Sequence, residues 1–98
     1  MTSKHYSTDR QERENLIAKI GQGEIIKRVV VDRGHRNGAE IHEISNTGII
    51  TIRNQKTKKL ITKLIARPGQ IRRYYEGNAP YYLIKIAKNN QELGYNEI

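Results

Sequence analysis

Ninety-eight residues with no Cys, Trp or Phe, and with 18 Lys and Arg against 10 Asp and Glu, describe one small basic domain over 1–98 with a net charge of +8. The missing cysteines exclude disulfides and thiolate metal sites. No apolar run approaches a bilayer span, and the polar start MTSKHYSTDRQERE is not a secretory signal, so the expectation is a soluble, cytoplasmic protein with no membrane partner.

In chain order, Ser7 and Thr8 are helix-capping types, and Thr8 with Gln11 has the spacing of a capping box. Leu16, Ile17 and Ile20 follow as a narrow apolar stripe ended by Gly21 and Gly23, which predicts a helix over about 8–21. Ile25 to Val31 is β-branched and reads as a strand. The loop DRGHRNG holds two glycines and an Asn-Gly pair, a turn signal. Glu40 to Ile44 is a second strand, less regular in its alternation and a candidate for a bulge. After the tight turn Ser45 to Gly48 come a third strand, Ile49 to Arg53, the polar loop NQKTK, and a fourth strand, Leu60 to Ala66. Connections this short imply an antiparallel meander, because parallel neighbours need long crossovers.

Pro68-Gly69 is expected to break the fourth strand, with a short helix over Gln70 to Tyr75 that Gly77 stops. Asn78 and Pro80 then open a last helix with Tyr82, Leu83, Ile86 and Ala87 as its apolar face, and Tyr81 and Tyr82 are expected to help pack it. The predicted class is α+β: an N-terminal helix, a four-stranded antiparallel β-sheet meander and C-terminal helices.

Charge is unevenly placed. Thr51 to Tyr75 holds eight Lys or Arg and no acid, while the other 73 residues carry ten of each sign, so the whole excess belongs to this block. Such a block concentrates polyanions, and nucleic acid is the partner it suits best; an acidic protein, an anionic membrane and plain solubility are the alternatives. Within RPGQIRRYY, arginine offers a planar fork for phosphate and tyrosine a ring for stacking, while the competing reading puts Ile71, Tyr74 and Tyr75 in the core and leaves the arginines solvated.

The chemistry-bearing candidates are few. Phosphate-cradling and nucleophile-elbow motifs are absent, as is HExxH, so NTP hydrolysis, serine-hydrolase chemistry and a zincin site are not expected, and no cofactor is. Three histidines are present. His35 sits between Arg33 and Arg36 in a turn, either solvated or held near phosphate by the flanking guanidiniums. His42 lies on the second strand and shares a face with Glu40 but not Glu43. It reads either as a half-buried structural imidazole or as a general acid or base, the usual work of that side chain near neutral pH. The third and fourth strands bring Thr51 opposite either Thr62 or Lys63, a register the sequence leaves open. RNA can be cut by such groups without a metal: a base takes the 2′-OH proton, cations hold the phosphorane, and an acid protonates the leaving oxygen.

The run GAEIHEISNTGIITIRNQKTKKLITKLIARPGQIRRYY resembles the catalytic sheet of small ribonuclease toxins of the barnase, EndoU, colicin and RelE superfamily. The likeness covers about residues 34–75 and lies in a His-bearing strand, an N-x-x-T-x-K turn, and a closing T-x-x-x-x-R-P-x-Q segment. It implies helices followed by a four-stranded antiparallel sheet and a metal-independent endoribonuclease. It also implies His35 or His42 as base or acid, Arg67 and Arg53 as phosphate ligands, Thr62 as an orienting hydroxyl, and Tyr74 as a stacking or acid group. Lys58, Lys59, Lys63, Gln70, Arg72 and Arg73, with Arg53, are the expected nucleic-acid contacts. The chain begins with its own Met and shows no delivery domain, so an RNase of this kind is expected to act in its own cell under an acidic antitoxin or immunity protein. The competing expectation is a non-catalytic binder, such as a phage or mobile-element protein that grips nucleic acid or blocks a host defence nuclease complex.

Overall fold

Four β-branched runs separated by short turns fold into a single antiparallel sheet in sequential order: β1 (Ile25–Val31), β2 (Glu40–Ser45), β3 (Ile49–Asn54) and β4 (Leu60–Ile65). The computed structural model describes residues 10–34 and 36–96, with the backbone alone for 94–96. One helix, α1 (Arg10–Ile20), precedes the sheet, and two, α2 (Pro68–Tyr74) and α3 (Tyr81–Asn96), follow it. The α+β class and the meander therefore stand as expected. The proposed caps Ser7 and Thr8 lie outside the described residues.

The pleat divides β2 cleanly, with Glu40, His42 and Ile44 on one face and Ile41, Glu43 and Ser45 on the other. On the first face Ile44, Ile50 and Ile52 pack with Ala66, Ile71, Leu83, Ile84 and Ala87 into the main core beneath α2 and α3. Fully burying each of the isoleucines and the leucine contributes about 1.5–3 kcal/mol. On the second face α1 leans on β4 with Leu16 and Ile17 buried, and Gln22 reaches Thr51 and Lys63 there. Helices thus cover parts of both faces.

The structure settles one open detail and corrects others. Thr51 faces Lys63, the second of the two registers, and Thr62 faces Ile52. β2 itself is regular; the extra residues are Ile26 on β1 and Ile61 on β4, where the pairing slips by one. Pro68 starts α2 instead of only ending the strand, because its missing N–H costs nothing at a first helical position. The Gln70 carboxamide accepts the Arg67 backbone N–H at 2.9 Å, closing that helix start. α3 begins after Pro80 and buries Leu83, Ile84, Ala87 and Asn90, while Ile86 is half-buried. Tyr81 and Tyr82 do not join that face: they stay 78% and 50% exposed. Tyr81 stands two residues before Leu83, hence about 200° away round the helix.

The β2–β3 turn docks on α3. Gly48 has φ 87°, and a Cβ there would lie 2.9 Å from Nδ2 of Asn90, the group that donates to the Thr47 carbonyl at 2.8 Å. Only glycine meets both demands. Among the described residues no helix is long and apolar enough to cross a membrane.

Candidate active site

Strand alternation two residues apart places Glu40 beside His42, and α2 supplies the third member of the group. Ile71, wholly buried, anchors α2 against the sheet, and Tyr74 one turn later falls over β2. His42 is 3% exposed, and both ring nitrogens are engaged. Nε2 lies 2.9 Å from Oε1 of Glu40, and Nδ1 is hydrogen-bonded to the Tyr74 hydroxyl. The same Glu40 oxygen is 3.8 Å from Nη1 of Arg33 in the β1–β2 loop. A continuous chain runs from Arg33 through Glu40 and His42 to Tyr74.

The partners assign the protons. An ionised carboxylate can only accept, so with a neutral imidazole Nε2–H donates to Glu40 and Nδ1 keeps a lone pair. Tyr74 O–H then donates to Nδ1, leaving its oxygen lone pairs for another donor. Burial pushes the Tyr74 phenol above its ordinary value of 10.0, with Arg33 and Arg73 pulling it down and Glu40 pushing it further up. The phenol therefore stays protonated at neutral pH. It can pass a proton along but does not stand as a tyrosinate.

Of the residues nominated from sequence, His42 and Tyr74 come together. Thr62 is half-buried on the same sheet face, opposite Ile52 and two strands from His42, about 10 Å across the sheet. Arg67 is exposed and caps the start of α2, Gln70 spends its carboxamide on that cap, and Arg72 and Arg73 are exposed on α2. Arg53 and Lys63 occupy the opposite face. There Arg53 Nε donates to Glu43 at 3.3 Å, Arg28 shares that carboxylate at 3.0 Å, and Lys63 donates to Gln22 at 3.0 Å. His35 lies outside the described residues.

The acid-free block is consequently not one surface. Lys58 and Lys59 stand on the exposed β3–β4 hairpin, which lies at the same sheet end as the β1–β2 loop. Gln55 N–H to the Ala39 carbonyl at 3.0 Å, and Asn54 Nδ2 to the Asn37 carbonyl at 3.1 Å, tie the two loops together. Arg33, Arg36, Lys56, Lys58 and Lys59 gather at that end, and Arg33 with Arg73 acts electrostatically on Tyr74. Glu40 and Arg33 were not nominated as site residues. The Glu-x-His spacing was the signal for Glu40; the Arg33 contact needed the loop's path.

Among the described residues no group of three or more His, Cys, Asp or Glu could hold a metal ion. Comparison with protein-family models, with curated proteins and with solved structures found no match to this chain.

Proposed function

We propose that this protein is a metal-independent endoribonuclease whose general base is a relay of Tyr74, His42 and Glu40. The observation that carries the reading is the hydrogen-bonded chain itself, since His42 is buried and can reach a substrate only through the Tyr74 hydroxyl. The 2′-OH proton moves to the Tyr74 oxygen as the phenol's own proton moves to Nδ1, and Glu40 holds the resulting imidazolium. The 2′ oxygen bonds to phosphorus, the P–O5′ bond breaks, and the leaving oxygen takes a proton back from the relay. The products are a 2′,3′-cyclic phosphate and a 5′-OH. Because no tyrosinate accumulates, the raised phenol pKa is no obstacle. Arg33 and Arg73 act electrostatically on the hydroxyl and suit the charge on the phosphorane, while Thr62 and Arg67 are assigned the orienting and phosphate-binding roles the resemblance implies. Such an enzyme works in the cytoplasm, where its RNA is, and an acidic antitoxin covering the basic end would silence it.

The test is incubation of purified protein with RNA in EDTA. Cyclic-phosphate ends support the reading; intact RNA across varied substrates and concentrations contradicts it. One observation favours a second reading: a buried imidazole bonded at both nitrogens is also what a purely structural His42 requires. In that case the basic end grips nucleic acid without cutting it, and RNA is bound but recovered whole.

A further inference from the structure

α3 opens on two aromatic rings that the core does not use. Tyr81 is 78% exposed and Tyr82 50%, although large aromatics ordinarily bury most of their surface. They do not stand alone. Tyr75, at the end of α2, packs on the core with one ring face under Lys27 Nζ at 4.8 Å. Its phenol is pushed up by burial and, to a lesser degree, by the charge of Tyr82. The sequence neighbour of Tyr75 is Tyr74, the outer member of the relay.

Charge decides what these rings face. From Arg67 to Leu93 the acids are Glu76 and Glu92, against Arg67, Arg72, Arg73, Lys85 and Lys88. Lys85 and Lys88 follow Tyr81 by one and two helical turns and are exposed like it. Exposed aromatic rings on a segment with a surplus of exposed cations suit a strand that offers phosphates and bare base faces together. Double-stranded RNA keeps its bases stacked inside and could not use the rings.

We infer that Tyr81 and Tyr82 form a stacking subsite for nucleobases of single-stranded RNA at the start of α3. The inference rests on the RNA reading above but does not need the cleavage step. The experiment measures binding of a fluorescent single-stranded 2′-O-methyl RNA, which cannot be cut, and of the same backbone without bases. Tyr81→Ala and Tyr82→Ala should each weaken binding of the based strand by roughly tenfold. Tyr81→Phe and Tyr82→Phe should hold it within about twofold, because the π face remains. The abasic strand should bind weakly and equally to all five proteins. Both rings are exposed, so the thermal midpoint of Tyr81→Ala should match the wild type. Unchanged affinity in the alanine variants, no preference for the based strand, or no binding by the wild type would each overturn the inference. So would rings that hold an acidic protein and no RNA. Ring-dependent binding without cleavage of ordinary RNA removes the nuclease and leaves the subsite; cleavage with ring-independent binding does the reverse.

Discussion

Glu40 fixes which nitrogen of His42 carries the proton, and that assignment is what aims the Nδ1 lone pair at Tyr74. Replacing it tests the assignment. Glu40→Gln keeps the shape but offers an amide that can also donate, so the imidazole can turn to the other tautomer. RNA cleavage should fall by about 10²–10⁴-fold with little change in thermal midpoint, measured on matched preparations. Tyr74 makes a second prediction at this scale. Folding raises its pKa, so the folded state holds the phenol proton more tightly than the unfolded chain does. The associated stability is fully present below about pH 10 and is lost as pH rises through the folded-state value. Urea unfolding between about pH 8 and 11 should show a loss that is smaller in Tyr74→Phe. Tyr75 is raised by burial too, so part of the loss persists until Tyr75→Phe is added.

The elements were legible from local signals where turns and β-branched runs spoke for themselves. Asn-Gly, Ser-Asn-Thr-Gly and the NQKTK loop gave strand order directly, because connections that short allow only antiparallel neighbours. The bulges at Ile26 and Ile61 were not legible, since an extra residue in an apolar run leaves no mark in the composition. The face of α3 was misjudged for a related reason. Tyr82, Leu83, Ile86 and Ala87 fit a helical stripe as well as Leu83, Ile84, Ala87 and Asn90 do, and only the docking of Asn90 on the β2–β3 turn separates them. That docking can be probed. Gly48→Ala must adopt φ 87° and push its Cβ against Asn90, and should cost about 1–3 kcal/mol in urea unfolding. An unchanged midpoint would mean that the turn does not bear on α3.

For the whole molecule, the charge block is the sequence's reason to expect a polyanion surface, yet folding redistributes it. Arg53 is spent on Glu43 and Lys63 on Gln22, while Arg33 and Arg36, outside the block, join Lys56, Lys58 and Lys59 at one end of the sheet. Binding to RNA should therefore weaken steeply with salt, and Lys58→Ala with Lys59→Ala should flatten that slope by about 1.4 in a log–log plot. The candidate site was half readable. Glu40 and His42 follow from a period of two, but Tyr74 lies 32 residues further on, and its approach depends on where α2 starts and how Ile71 seats it. The measurement that bears most directly on the relay is the rate of cyclic-phosphate formation in EDTA for the wild type, His42→Ala, Tyr74→Phe and the double variant. Groups acting as one relay give single losses of about 10²–10⁴-fold that do not multiply in the double variant. Losses that multiply, a Tyr74→Phe protein as fast as the wild type, or a wild type that leaves RNA intact would contradict it.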